Sequence, residues 1–169
     1  APRGGGKTRL GAAAALLDMV HRPGCAVRIL GGSLEQSLRM WEHLVPDIGK
    51  VVEESKITEE QVRKIVLENG SSAAILPQSQ RAVRGLHVQR LRCDEVDMFD
   101  PGVWSAAQLT IKSKEGMRGV VEALSTVHKR GGVMSKVVEE AGERGKRVIK
   151  WCVLEVLQKC HKDRVCERC

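Results

Sequence analysis

The feature that most constrains this chain is its opening, Pro2-Arg3-Gly4-Gly5-Gly6-Lys7-Thr8, followed at once by the alanine-rich stretch Arg9 to Val20. Consecutive glycines let backbone N–H groups wrap an anion, because side chains would block the approach and resist the dihedrals required. The following segment, with Leu10, Ala13, Ala14, Leu17 and Met19, favours a helix that stops at Arg22-Pro23-Gly24. A glycine loop feeding a helix N-terminus adds a favourable dipole for phosphate. The pattern is that of a phosphate-binding loop, with Ala1 where the first glycine is expected. In this reading Arg3, Gly4, Gly5, Gly6, Lys7 and Thr8 hold nucleotide, Lys7 reaching the β- and γ-phosphates and Thr8 placing its hydroxyl on Mg²⁺.

Such a loop normally leaves a central strand, so the strand is expected before Ala1 and the chain is read as a fragment cut at its N-terminus. The rest alternates strand and helix. Ala26–Leu30 reads as a buried strand closed by Gly31-Gly32, with Ser33 capping a helix over Leu34–Leu44. Gln61–Leu67 and Ser72–Leu76 read as strands around Asn69-Gly70, and Gln78–Leu86 as a basic loop. Val88–Cys93 reads as a strand ending in Asp94-Glu95, and Pro101–Ile111 as a helix capped by Asp97 or Asp100. Val120–Thr126 and Arg147–Trp151 read as strands, Ser135–Arg144 and Val153–Lys159 as helices. This order predicts an α/β fold with a mostly parallel sheet flanked by helices. We read residues 1–150 as one domain truncated at its N-terminus and residues 151–169 as a cysteine-rich tail.

A metal-dependent phosphoryl transfer needs a carboxylate for the cation and another group to orient or deprotonate the attacking water. Asp94 is expected to serve the metal with Thr8, and Glu95 the water. Arg90 and Arg92 interrupt the preceding strand where one buried on both faces would be continuously apolar.

The net charge of +7 and the 28 Lys and Arg residues suit a polyanionic partner. Three Trp, one Phe and no Tyr argue against a base-stacking platform for single strands. No apolar run approaches the roughly 20 residues of a membrane span. Four of the six cysteines, Cys152, Cys160, Cys166 and Cys169, crowd the tail beside His161. Cys166-x-x-Cys169 is a zinc half-site spacing, and an iron–sulfur cluster would use the same thiolates. The alternative for these four is reduced, unliganded thiols.

Pro2-Arg3-Gly-Gly-Gly-Lys-Thr, then Arg81-Ala-Val-Arg84-Gly-Leu-His87, then Leu91-Arg-Cys-Asp94-Glu95-Val-Asp97, then Leu124-Ser125-Thr126 resemble, in content and order, the ATPase domain of phage terminase large subunits. The resemblance covers residues 1–150. It implies a RecA-like, ASCE-type P-loop NTPase fold, with ATP and Mg²⁺ as ligands. It also implies double-stranded DNA, a portal and a small terminase subunit as partners, a homo-oligomeric ring, and the cytoplasm of a bacterial host. It assigns Asp94 to Mg²⁺, Glu95 to catalysis, Ser125 and Thr126 to coupling, and Arg3 or Arg84 to the arginine finger. The nuclease domain that terminases also carry has no counterpart here, so DNA cleavage is not expected. Two other readings stay open: another P-loop NTPase such as a superfamily-two helicase fragment, which shares Asp94-Glu95-Val96-Asp97, and a non-catalytic remnant that binds DNA or partner subunits.

Overall fold

The computed structural model describes residues 4–84, 87–127 and 130–152. Helix α1 (Lys7–His21) is followed by strand β1 (Ala26–Gly31) and helix α2 (Leu34–Val51). Strands β2 (Ile57–Gln61), β3 (Lys64–Leu67) and β4 (Ser72–Ile75) come next, then the short helix α3 (Gln80–Val83). Strand β5 (Arg90–Asp94), helix α4 (Pro101–Leu109), strand β6 (Val120–Leu124) and helix α5 (Val133–Glu143) complete the described elements.

The six strands form one sheet in the order β2-β3-β4-β1-β5-β6. β4, β1, β5 and β6 run parallel, while β2 and β3 are antiparallel additions at one edge. The expected α/β fold with a mostly parallel sheet is what the chain adopts. Helices α1 and α2 cover one face, where Ala12, Ala15, Met19, Met40 and Leu44 pack on Val27, Ile29 and Ala73. Helices α3 and α4 cover part of the other, where Val83, Val103 and Ala107 meet Leu30, Leu91 and Cys93. Each fully buried aliphatic side chain contributes about 1.5–3 kcal/mol. No helix of the described residues is long and apolar enough to cross a membrane.

Several elements differ from the sequence reading for identifiable reasons. Helix α2 runs seven residues past Leu44, through Pro46. Its apolar stripe continues past Leu44, with Ile48 1% exposed and Val45 and Val52 packed on the same core, and their combined burial offsets the roughly 3 kcal/mol that an interior proline costs. Gln61–Leu67 is not one strand: the chain turns at Val62-Arg63, so β2 and β3 form a hairpin of their own. The Asn69-Gly70 turn joins β3 to β4 as expected, with Gly70 at φ 77. Gln80–Val83 is helical within the stretch read as a loop, and Arg147–Trp151 has no strand structure. Asp100 caps α4 by accepting from Gly102 N and Val103 N, but Asp97 does not; its Oδ1 accepts from Met134 N, 3.2 Å away. The segment Val153–Lys159 lies outside the described residues.

Arg90 and Arg92 are buried because a partner waits on the facing helix. All five residues of β5 are buried. Leu91 and Cys93 face α4, and the two arginines face α1, where Asp18 is 8% exposed. Asp18 pairs with Arg90 at 3.0 Å, with Arg22 at 2.8 Å and with Arg92, which also meets Glu122 of β6. Burial pulls the Arg92 guanidinium down to about 10, and the Asp18 carboxylate acts against that fall.

Candidate nucleotide and metal site

Parallel strands deliver their carboxyl ends to one edge of a sheet, where loops from distant parts of the chain converge. Here those loops are Gly31–Ser33 after β1, Asp94-Glu95 after β5 and Ser125-Thr126 after β6, with Gly4–Gly6 and the first turn of α1 set against them. A cleft of about 590 Å³, within the range of small-molecule pockets, opens there between Gly4, Gly5, Gly6 and the start of α1, the Asp94-Glu95 turn with Met98, and side chains of α2.

Gly4 and Gly6 have φ of 70 and 75, and Gly6 is the N-cap of α1. The first-turn N–H groups of a helix lack acceptors inside it, and Gly6 has no side chain to cap them. The helix thus presents donors and a positive dipole end to the cleft. Lys7, on that turn, is 6% exposed. Its Nζ donates to Thr126 Oγ1 at 3.0 Å and lies 3.7 Å from Glu95 Oε1. Thr8 Oγ1 donates to Asp94 Oδ2 at 2.7 Å, and Glu95 N donates to Asp94 Oδ1 at 3.0 Å.

Asp94 is 2% exposed, and burial raises its carboxyl above the usual carboxylate range. The Glu95 charge pushes the same way, against the Thr8 and Glu95 N–H hydrogen bonds and the Lys7 ammonium. A sheltered carboxylate with a hydroxyl 2.7 Å away is a hard-oxygen pair of the sort Mg²⁺ accepts, since that ion takes one or two protein oxygens and keeps several waters. The donor set therefore fits the metal that the sequence reading assigned to Thr8 and Asp94.

Glu95 has φ 52 and ψ 49, the single non-glycine with positive φ among the described residues. The turn after it, Val96–Met98, is held to the β6 end because Asp97 N donates to Ser125 Oγ at 3.2 Å. Ser125 Oγ in turn donates to Thr126 O at 3.0 Å. Of the two expected coupling residues, Thr126 touches Lys7 and Ser125 fastens the turn behind Glu95.

Arg84 sits at the end of α3, donating to Gln80 Oε1 at 3.0 Å, and does not line the cleft. Arg3 lies outside the described residues, as do Cys160, Cys166 and Cys169; Cys152 is exposed. Among the described residues no group of three or more His, Cys, Asp and Glu side chains is placed to hold a metal. The sequence reading missed one wall of the cleft: Gln36, Arg39 and His43 of α2, with Arg9 of α1 reaching His43 O and Asp47. Their spacing is that of one helix face, a signal that becomes useful once α2 is known to lie beside α1.

No protein-family model matches the chain, and no curated protein matches it in sequence. Solved structures do match. The large terminase of bacteriophage HK97 superposes with a TM-score of 0.67 at 16% identity, over 83% of this chain and 31% of that one. The large terminase ATPase domain of Thermus phage P74-26 gives 0.60 at 20% identity, over 73% of this chain and 56% of that one. A large terminase from a thermophilic bacteriophage gives 0.58 at 10% identity, over 80% and 34%. The chain spans about half of one of these structures and about a third of the others. At these identities the likeness concerns the fold: this chain folds as the ATPase domain of phage large terminases does, an α/β P-loop NTPase fold.

Proposed function

We propose that this chain is the nucleotide-binding core of a large-terminase-like motor that hydrolyses ATP to move double-stranded DNA into a viral shell. The observation that carries the reading is the convergence of Lys7, Thr8, Asp94 and Glu95 in one cleft, with Thr126 bonded to the Lys7 ammonium, through hydrogen bonds between residues 86 and 119 positions apart. Chance places a Gly-Lys-Thr tripeptide in many chains; it does not also place two sheltered carboxylates and a strand-end hydroxyl around it.

In this reading the glycine loop and the start of α1 bind the phosphates through backbone N–H groups, and Lys7 Nζ meets the β- and γ-oxygens. Thr8 and Asp94 would hold Mg²⁺, which when bound neutralises charge on the phosphate oxygens. Glu95 orients the attacking water and receives its proton. Phosphate oxygens arriving at Lys7 Nζ compete with Glu95 and Thr126 for the same ammonium. Binding therefore frees the Glu95 carboxylate for the water and loosens β6 at Thr126. Through Ser125 and the Asp97 turn, that change passes toward α5, a route by which hydrolysis is coupled to movement. The net charge of +7 suits a DNA partner, and the portal, the small subunit and a ring of copies follow from the same reading.

The test is Mg²⁺-dependent ATP hydrolysis by the chain, with Lys7→Ala and Glu95→Gln beside it. Turnover by the wild type, falling at least about a hundredfold in both variants, supports the reading. Wild-type rates in the variants defeat the assignment of this site, and inactivity of all three well-folded proteins defeats the ATPase reading and leaves a DNA- or partner-binding role.

A further inference from the structure

The indole of Trp151 donates from Nε1 to the carbonyl oxygen of Gly5, 3.1 Å away across 146 positions of sequence. Trp151 follows α5 at the end of a stretch without regular structure, so the C-terminal part of the described chain returns to the phosphate loop. Gly5 and Gly6 line the cleft; Trp151 does not. The Gly5 carbonyl is thus held by an indole that is not one of the residues lining the cleft.

A planar trans peptide holds its C=O and N–H antiparallel. With the Gly5 carbonyl held on the indole, the N–H of Gly6 points the opposite way, away from Trp151 and free to meet an anion in the cleft. The same peptide rotated by half a turn would aim a carbonyl dipole at the phosphates. Between two ordinary residues sterics would oppose that rotation. Between two glycines they do not, because both signs of φ are open at Gly6, which stands at φ 75. The glycines that admit the anion thus leave the peptide's sense undetermined, and something outside the loop must set it.

We propose that Trp151 is a positioning residue that locks the Gly5–Gly6 peptide in the sense that presents its N–H to phosphate. The proposal rests on the nucleotide reading of the cleft and deepens it. It assigns Trp151 to the triphosphate, through Gly5 and Gly6, and gives it no contact with base or ribose.

The experiment compares the full chain with Trp151→Phe, which keeps a ring and removes the donor, and with Trp104→Phe on α4 as a control for aromatic loss. Calorimetry reads binding of ATP and, separately, of inorganic triphosphate. ¹⁵N spectra of the ligand-free proteins read the Gly6 amide. Losing one hydrogen bond that selects between two peptide senses raises both dissociation constants about fivefold, with kcat moving less than affinity and Tm falling by no more than about 4 °C. The Gly6 amide signal shifts or broadens in Trp151→Phe and stays in place in Trp104→Phe. Unchanged triphosphate affinity overturns the proposal, and with weakened ATP binding it assigns the indole to the base or ribose instead. An unmoved Gly6 signal also overturns it. If the wild type binds neither ligand, the nucleotide reading fails, while the Gly6 signal still decides whether the lock exists.

Discussion

Strand β5 carries two charged clusters that behave in opposite ways. At its start, Arg90 and Arg92 are sealed against Asp18, and the charges there are used on one another. At its end, Asp94 is equally buried but meets a hydroxyl and a backbone N–H, and its carboxyl is pushed upward by burial. The first cluster completes the fold. The second stands beside an open cleft, where the proposed nucleotide would meet it.

Breaking the first cluster should produce the larger effect. Asp18→Ala removes the carboxylate that two buried guanidinium groups share, leaving Arg92 with Glu122 and Arg90 with backbone carbonyls, and should cost about 3 kcal/mol, measured by urea unfolding. If the cost is under about 1 kcal/mol, the arginines find water or other acceptors and the contrast with the cleft collapses. Breaking the second cluster should leave the fold and remove the chemistry. Lys7→Ala and Glu95→Gln should lose about a hundredfold in hydrolysis, or roughly 2.7 kcal/mol of barrier, with unfolding midpoints near wild type. Unfolding of either variant would make the cleft a structural centre after all.

The smallest effect sharpens the comparison on the other face of β5. Cys93 lies between Arg92 and Asp94, and burial drives its thiol well above the ordinary range; burial also raises Cys25. A raised thiol stays neutral, and the thiolate is the reactive form. Cys25→Ser and Cys93→Ser should therefore leave the count of thiols that react with a disulfide reagent at pH 8 unchanged in the native state. A drop by one in Cys93→Ser would mean that the sheet opens at β5 under native conditions, and in Cys25→Ser that it opens at the start of β1.

The cleft was legible in sequence where chemistry is local. Glycine, lysine and threonine opening a helix, and adjacent carboxylates closing a strand, each occur by chance, and it is their order along one chain that made them legible. What was illegible depended on distant partners. Arg90 and Arg92 looked like flaws in a strand because Asp18 is 72 and 74 positions away, and no pattern within the strand announces it. The turn at Val62-Arg63 carries no glycine, proline or asparagine, and Val62 is 83% exposed, so its hydrophobicity suggested a strand that the chain does not continue. Trp151 reads as one more apolar residue until the fold places its indole on Gly5.

Glu95 has a wider consequence. A side chain held at φ 52 costs about 1–2 kcal/mol that a glycine would avoid, yet the position holds a glutamate. Glu95→Gly should accordingly melt higher and hydrolyse nothing, a gain in Tm that calorimetry would read alongside a lost activity. If Glu95 does the work proposed for it, robustness has been given up there for reactivity. Selection for thermal resistance alone, without selection for work, would erode the chain first at this residue.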